Sequence, residues 1–292
     1  MDSSLNREEA NQLFKTNLQE YRGYTINRLQ IPQLEMLASL DVEDGDIFIA
    51  SFPKAGTTWL QQIVYLIHNG VDIKEASSRP IDKRIPYFEY SPETVQRVLA
   101  MPHPRLVKTH MPYEFLPTQL KEGNGKVLYI ARNPKDLLVS GYFFMKKVKQ
   151  FSYQGTMEDY LDLMLTGSVL CGPLWKHVAS YWQHRDDEHT FHTSYEQLQE
   201  DLPGSARRIA EFLKKPLSDA QVDAISSNCS FSAMSKDNSV NYSWYQALDP
   251  GEFMRKGIVG DWKCYFTEDM NSKMDKYIAE NLTAKGIWFR YE

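Results

Sequence analysis

Short apolar runs alternate with longer helical patterns along this chain. Three runs, at 47–50, 106–107 and 127–131, contain no polar residue. Continuous runs of this kind are typical of strands that are buried on both faces of a parallel sheet. We therefore expect a strand at each of these positions, and the polar residues that follow them become the first candidates for a ligand site.

Apolar residues at helical spacing predict four helices. In chain order these helices cover 59–67, 134–146, 202–213 and 270–283. Gly70 ends the first helix, and Asn133 caps the second, whose first residue is Pro134. Residues 1–45 are expected to form a polar lead-in of helical and irregular structure. Strands that alternate with helices indicate an α/β fold with a central, mainly parallel sheet flanked by helices.

Composition and charge narrow the classes of function. The chain has 292 residues and shows neither an internal repeat nor a linker, so we expect a single domain, 1–292, with its core at 46–292. The formal net charge is −5, with nine acids and four bases in 1–50, and general nucleic-acid binding is not expected. The segment 101–150 instead contains nine bases and three acids, which favours a local anion site.

Cysteine usage and hydropathy suggest the cellular compartment. Cys171, Cys229 and Cys264 have neither metal-ligand nor disulfide spacing, which suits a reducing compartment. The first residues lack a basic segment followed by an apolar run, and no apolar run approaches the ~20 residues of a membrane span. We expect a cytoplasmic protein with no membrane partner and no catalytic metal.

A glycine-containing loop lies between the first predicted strand and the first helix. Its sequence is FPKAGTT, at 52–58. Amides at a helix N-terminus bind anions, Gly56 allows close approach of the backbone, and Lys54 adds a positive charge. Thr57 and Thr58 add hydroxyl donors. Because the chain contains no G-x-x-x-x-G-K-[ST] motif, this is not a Walker A loop, and the alternative interpretation is an ordinary strand–helix turn.

Two further basic segments fit an anion site. Arg132 and Lys135 flank the start of the helix at 134–146, which also contains Ser140, and FMRKG occupies 253–257. Either segment alone is typical of an ordinary protein surface. Three basic loops together indicate a ligand with more than one phosphate, or with a phosphate and a second anionic group.

One of the seven histidines has the placement of a general base. His110 follows the second predicted strand, and Lys108 precedes it by two residues. An imidazole titrates near neutrality and can take a proton from an acceptor hydroxyl. Most histidines are structural or surface residues, so it is the position behind a buried strand that singles out His110.

Five segments, taken together, resemble the family of cytosolic sulfotransferases. They are FPKAGTTW at 52–59, LVKTHMP at 106–112, RNPKDLLVSGYFF at 132–144, TSYEQL at 193–198 and RKGIVGDWK at 255–263. The resemblance implies a P-loop-like, nucleotide-binding sulfotransferase fold. It also implies transfer of a sulfuryl group from 3′-phosphoadenosine 5′-phosphosulfate (PAPS) to a hydroxyl or amine of a small, mostly apolar acceptor, without a metal. The product nucleotide is 3′-phosphoadenosine 5′-phosphate (PAP).

The resemblance also assigns roles to individual residues. His110 would be the base of an in-line displacement, and Lys54, Lys108 and Ser140 would complete the catalytic set. Acceptor contacts would come from His110 and from three aromatic residues, Tyr87, Tyr90 and Phe144. The residues implied to bind the donor are Lys54, Ala55, Gly56, Thr57, Thr58, Trp59, Arg132, Ser140, Tyr195, Cys229, Ser230, Phe231, Phe253, Met254, Arg255, Lys256 and Gly257.

The chain departs from the family pattern at several positions. Ala55 stands where the family commonly has Ser, and Gly141 where it commonly has an aromatic residue, which would loosen that helical turn. The dimer motif of the family is matched at Lys263 and Thr267, but not at Glu268 or Ser272. We therefore expect a monomer or a weak homodimer.

Three other classes of protein are alternatives to a cytosolic sulfotransferase. The main alternative is a catalytically weak PAPS-binding protein of the same fold. A P-loop phosphotransferase would need a Walker A motif, and protein or carbohydrate sulfotransferases usually carry a membrane anchor or disulfides. The physiological acceptor is not specified by the sequence: phenols, steroids, amines and other alcohols all fit.

Overall fold

A parallel sheet lies at the centre of the protein. The computed structural model describes residues 17–149, 151, 153–247 and 253–292. The strands within these ranges are β1 (Leu18–Tyr21), β2 (Tyr24–Asn27), β3 (Ile47–Ala50), β4 (Leu106–Thr109), β5 (Lys126–Ala131) and β6 (Thr190–Ser194). The last four pair in parallel in the order β4-β3-β5-β6, and β1 and β2 form a separate antiparallel hairpin. The predicted α/β fold with a central parallel sheet is confirmed.

Helices cover both faces of this sheet. The described α-helices are α1 (Ile31–Ala38), α2 (Thr57–His68), α3 (Ile73–Ala76), α4 (Ile81–Arg84), α5 (Pro92–Leu99), α6 (Thr118–Lys121), α7 (Pro134–Lys147), α8 (Met157–Leu165), α9 (Leu174–Trp182), α10 (Tyr195–Glu200), α11 (Leu202–Phe212), α12 (Asp219–Asn228), α13 (Phe231–Met234) and α14 (Glu268–Asn281). The four predicted helices correspond to α2, α7, α11 and α14, with ends within two residues of those expected. In the part of the chain that the structure describes, no helix has both the length and the apolar character needed to cross a membrane.

The alternation of side chains along the strands builds a core on each face of the sheet. Phe48 and Ala50 of β3 belong to one apolar cluster, while Ile47 and Ile49 belong to the other. All four residues are buried, because a strand that is covered on both faces has no solvent side. This two-sided burial is what the continuous apolar run predicted.

The lead-in is more ordered than the sequence pattern suggested. Within residues 17–45 the chain forms the β1–β2 hairpin and α1, and Tyr24 and Ile26 are buried in the core. The backbone N–H of Thr25 donates to the carbonyl of Gly172 at 2.7 Å, and Cys171 returns a bond to Thr25 at 2.8 Å. The description of this segment as a polar lead-in was therefore wrong for residues 17–45. Residues 1–16 lie outside the described residues.

Gly141 does not loosen the helix in which it lies. Helix α7 runs unbroken from Pro134 to Lys147, with Asn133 Oδ1 accepting the backbone N–H of Asp136 at 2.8 Å as its N-cap. A Cβ atom on Gly141 would lie 2.8 Å from Oη of Tyr160, a ring that is buried among other aromatic side chains. The small residue therefore makes room for Tyr160 of α8, and a large aromatic side chain at 141 would not fit.

We expect Gly141→Ala to lower stability although alanine is the better helix former. The propensity gain of about 1 kcal/mol would be outweighed by an overpacking penalty of about 1–3 kcal/mol. In a Tyr160→Phe background the closest clashing atom is absent, and the same substitution should cost less. Thermal unfolding of the four proteins measures this coupling, and a higher Tm for the single Gly141→Ala variant would contradict it.

Candidate active site

The carboxyl ends of three strands meet at one edge of the sheet and open into a large cavity. In the register, Ala50 of β3 lies opposite Thr109 of β4 on one side and Tyr129 of β5 on the other. The segments that follow these strands therefore start side by side. Together with α5, α10 and segments near residues 229–257, they enclose a cavity of about 840 Å³.

The loop after β3 turns sharply into α2. Lys54 and Gly56 have φ angles of +72° and +107°, and the backbone N–H groups of Trp59 and Leu60 bond to the carbonyl of Gly56. A Cβ atom at Gly56 would lie 2.8 Å from the ring of Tyr195, so glycine is required both for conformation and for space. The result is a helix N-terminus that opens onto the cavity, which is the arrangement that binds anions.

Lys54 is held among aromatic rings and other cations. Its Nζ lies 4.2 Å from the ring centroids of both Phe144 and Phe253. Burial, together with the positive charges of Lys108, Arg132 and Arg255, lowers the pKa of Lys54 to about 7. An anion bound among these four cations would remove the repulsion and restore the charged form of the lysine.

Arg132 connects the loops around the cavity. Its guanidinium stacks 4.2 Å from the ring centroid of Tyr195. Nη1 lies 3.5 Å from the carbonyl of Lys54, and Nη2 donates to the carbonyl of Ile258 at 3.3 Å. Nε is buried and has no hydrogen-bond partner among the described residues. A buried guanidinium group with an unpaired donor is suited to an anionic ligand.

A carboxylate offsets the positive charge of the basic segment at 255–257. Asp261 pairs with Arg255, and with Lys256 at 2.7 Å. Burial acts to raise the pKa of Asp261, but the hydrogen bonds from these two cations outweigh it and hold the pKa below its usual value. Gly257 has a φ of +70°, and a Cβ there would collide with the ring of Phe231, so the segment packs closely against α13.

His110 is fixed in one tautomer. Its Nδ1 lies 2.8 Å from the carbonyl oxygen of Ser51. Because a carbonyl can only accept, Nδ1 carries the hydrogen and Nε2 keeps its lone pair. Burial lowers the pKa of His110 well below its usual value, and the charge of Lys108 lowers it further. At neutral pH the imidazole is therefore uncharged and able to accept a proton.

Aromatic side chains surround the space beside His110. The ring centroid of Tyr87 lies 5.0 Å from that of His110, and Nζ of Lys108 lies 4.6 Å from the same tyrosine ring. The backbone N–H of Lys108 bonds to the carbonyl of Pro86, which aligns the Tyr87 segment with the outer edge of β4. Gln30 Nε2 donates to Tyr87 Oη at 3.2 Å, while Gln30 Oε1 is buried with no partner among the described residues.

Almost all of the predicted site residues line this one cavity. They are Lys54, Gly56, Thr57, Thr58, Trp59, Tyr87, Tyr90, Lys108, His110, Arg132, Ser140, Phe144, Tyr195, Cys229, Phe231, Phe253, Met254, Arg255, Lys256 and Gly257. Two others lie elsewhere: Ala55 is fully buried in the core, and Ser230 caps α13 through a bond from the N–H of Ala233. Lys135 also lies outside the lining, since its Nζ binds Asn271 and Asp275 of α14.

Several lining or supporting residues were not found from the sequence. Ser51 directly follows β3, and a polar residue at that position behind a buried strand is a local signal in the sequence. Tyr242 and Trp244, whose rings stack 5.1 Å apart, lie in an aromatic cluster that precedes the predicted basic segment. Gln30 follows the unpredicted hairpin, and Glu89 contacts His110 across 21 residues of chain, so no local pattern marked either. In the described ranges, no three His, Cys, Asp or Glu side chains converge in a way that could hold a metal ion.

The parallel sheet, the loop at 52–58 and the cationic cavity define an α/β protein whose cavity is suited to an anion, and comparison with known proteins identifies its family. The sulfotransferase domain matches residues 44–286. Human sulfotransferase 4A1 is 34% identical over 95% of this chain and 94% of its own, and human sulfotransferase 1E1 is 33% identical over 94% and 96%. The structure of retinol dehydratase in complex with androsterone and the inactive cofactor PAP has a TM-score of 0.85 at 28% identity, covering 98% of this chain and 96% of that one. The chain belongs to the sulfotransferase family, as its five motifs predicted.

We expect a small polyanion to stabilise the protein by binding the converging cations. At pH 6.5, where Lys54 is largely protonated, pyrophosphate at about ten times its Kd should raise Tm by ~2–4 °C. Lys54→Met and Arg132→Gln should each lose more than half of this shift. Lys276→Met, on the solvent face of α14, is the matched control and should keep it.

Differential scanning fluorimetry measures the Tm shifts. A control with KCl at the same ionic strength shows how much of each shift comes from screening rather than from specific binding. Equal shifts in all four proteins would contradict a localised anion site.

Proposed function

We propose that this protein transfers a sulfuryl group from PAPS to a hydroxyl or amine group of a small, mostly apolar acceptor, with His110 as the base. One observation carries the proposal. The loop at 52–58, which carries Lys54, and a histidine held in the Nδ1–H tautomer converge on the same cavity, as an in-line transfer between an anionic donor and a neutral acceptor requires.

The residues that line one part of the cavity fit the donor. Lys54 and Gly56 to Trp59 would surround the phosphosulfate, with α2 directing its N-terminus at it. Arg132, with its unpaired Nε, and Ser140 would hold the 3′-phosphate, together with Arg255–Gly257. The rings of Trp59 and Tyr195, 5.1 Å apart, would lie at the adenine, near Cys229 and Phe231. The relative that was solved with PAP supports this choice of nucleotide.

Each catalytic side chain has a defined task. When bound, PAPS supplies the sulfuryl group and leaves as PAP. The ammonium group of Lys54 would offset the negative charge that develops on the leaving side, and Lys108 would stabilise the group in transfer. Nε2 of His110 would take the proton of the acceptor. Because a sulfuryl group carries less charge than a phosphoryl group, these cations suffice, and we propose catalysis without a metal.

The acceptor would lie among aromatic rings, one of which carries a hydroxyl group that can bind it. Tyr87, Tyr90 and Phe144 line the cavity, and the Gln30–Tyr87 hydrogen bond leaves the Tyr87 hydroxyl proton available for a ligand. We propose that this pair favours acceptors with a second polar group over simple phenols. Androsterone, the molecule bound to retinol dehydratase in the solved complex, supports an apolar scaffold.

The wider organisation of the protein is also proposed. We propose a single domain with residues 46–292 as its catalytic core, acting in the cytoplasm as a monomer or weak homodimer on small molecules. In the structure Lys263 pairs with Glu292 at 3.0 Å, and Thr267 caps α14. Both matching residues of the dimer motif therefore have contacts within the chain.

A transfer assay tests the proposed reaction. Purified protein is incubated with radiolabelled PAPS and a panel of phenols, steroids, amines and alcohols. We expect transfer to at least one class, and His110→Ala should lower kcat by 10²–10⁴-fold while PAP binding changes less than threefold. His184→Ala, at the surface, is the matched control and should keep the wild-type rate.

Two outcomes would change the assignment. Tight PAP binding without transfer to any acceptor would favour the alternative of a catalytically weak PAPS-binding protein. A wild-type rate for His110→Ala would remove this residue from the mechanism.

Conservative changes test the acceptor preference. Tyr87→Phe removes the hydroxyl and keeps the ring, so kcat/KM should fall about five- to tenfold for acceptors with a second polar group and stay constant for unsubstituted phenol. Tyr90→Phe should have a smaller effect, because Tyr90 is 54% exposed. Steady-state kinetics over the same acceptor panel measures both, and an unchanged profile in both variants would refute the preference.

A further inference from the structure

Two buried glutamates that have no role in the proposed reaction are hydrogen-bonded to the segments that contain the proposed site residues. Glu89, in the short 3₁₀ segment at Phe88–Tyr90, is fully buried, and Glu196 of α10 is 4% exposed. Oε1 of each accepts the backbone N–H of a residue just behind a strand: His110 for Glu89 at 2.5 Å, and Asn133 for Glu196 at 2.9 Å. Oε2 of each is buried without a hydrogen-bond partner in the described ranges.

Glu89 holds one side of the backbone of His110. Its Oε1 also accepts the hydroxyl of Thr109 at 3.1 Å, and the Thr109 hydroxyl oxygen in turn accepts the N–H of Met111 at 3.0 Å. The carboxylate therefore fixes three consecutive residues at the end of β4. A buried carboxylate is unfavourable unless such bonds compensate it, so its placement at this turn ties the position of the base to the core.

His177 holds the other side of the same residue. Its Nε2 lies 3.0 Å from the carbonyl of His110 and must donate, because the carbonyl only accepts. Its Nδ1 then accepts from the hydroxyl of Tyr129 at 3.1 Å. With Nδ1 of His110 bonded to Ser51, the backbone N–H, the backbone carbonyl and the ring of the base are each held by one partner. Nε2 is thereby directed at the cavity by groups that do not line it.

Glu196 acts on a different loop. Oε1 of Glu196 accepts two hydrogen bonds from Asn133. One comes from the backbone N–H, and the other comes from the side-chain Nδ2 at 3.0 Å. Asn133 caps α7, the helix that carries Ser140, and directly follows Arg132. Glu196 therefore holds the start of the segment that contributes Arg132 and Ser140 to the cavity, and its hydrogen bonds are to Asn133 rather than to His110.

We propose that Glu89 is a positioning residue for the base and that Glu196 is a positioning residue for the segment at 132–140, which carries Arg132 and Ser140, so that the two control different kinetic parameters. The proposal rests on the roles given above to His110 and Arg132. A displacement of the base by about 1 Å is enough to lower a rate by ~10²-fold, whereas a shift of the Arg132 loop weakens donor binding. Loss of Glu89 should therefore appear in kcat, and loss of Glu196 in the affinity for the nucleotide.

The test compares matched substitutions at both positions. Glu89→Leu removes the acceptor oxygen, while Glu89→Gln keeps it, and the same pair is made at Glu196. For Glu89→Leu we expect kcat to fall at least 30-fold with the PAP Kd within threefold of wild type. For Glu196→Leu we expect the PAP Kd to rise at least tenfold, with kcat at saturating PAPS within fivefold. Both Gln variants should stay within fivefold in both parameters.

The readouts are calorimetric titration with PAP, which also counts folded sites, and kcat per folded site. If a Leu variant does not fold, the Asp variant at that position replaces it, because one methylene fewer withdraws the carboxylate from the N–H; the same loss is expected. The proposal is overturned if Glu89→Leu or Glu89→Asp keeps the wild-type kcat, or if the variants at both positions change the same parameter. A wild-type protein that binds PAP but transfers nothing would instead refute the proposed function.

Discussion

The parallel pairing of β3 with a strand on each side is the constraint on which the site depends. Ala50 lies opposite both Thr109 and Tyr129, so segments that are far apart in the chain begin at the same edge of the sheet. A slip of one residue in either pairing would turn the side chains behind that strand to the opposite face. The two apolar clusters that bury β3 on both faces prevent such a slip, and in this way core packing sets the distance between Lys54, His110 and Arg132.

Bringing these residues together concentrates positive charge in a cavity with partly apolar walls. Mutual repulsion and burial hold the pKa of Lys54 near 7 and depress that of His110. Asp261 balances Arg255 and Lys256, and the rings of Phe144 and Phe253 face Lys54, so part of the unfavourable energy is offset within the chain. A polyanion bound in the cavity would offset the rest and would raise both pKa values. Under the proposed function, the donor would thus restore the charge of Lys54 and make His110 a stronger base.

What the sequence revealed, and what it did not, follows from the range of the interactions. The buried strands and the cap at Asn133 are local patterns, and both predictions are confirmed. The loop at 52–58 was also found from a local pattern, and the structure places it at the cavity. The strand β6 was not, because its side chains are only partly buried at the sheet edge and its sequence has no continuous apolar run. The β1–β2 hairpin is hydrogen-bonded to Gly172, and Gln30 is hydrogen-bonded to Tyr87, which lies 57 residues further along the chain. Pairings of that range leave no periodic signal in a single sequence.

The same geometry bears on whether the site only binds a nucleotide or also reacts. Anion binding needs the cations, the helix N-terminus and Arg132, but it gains nothing from an uncharged, buried histidine. His110 is nevertheless held at its backbone N–H, its carbonyl and its Nδ1, each by a different partner. Burying these three polar contacts is favourable only if all are satisfied. Two of them fix the backbone of His110, and the bond at Nδ1 orients the imidazole. An orientation fixed to this degree has a physical use where a proton must move along a defined direction, and that favours catalysis over binding alone.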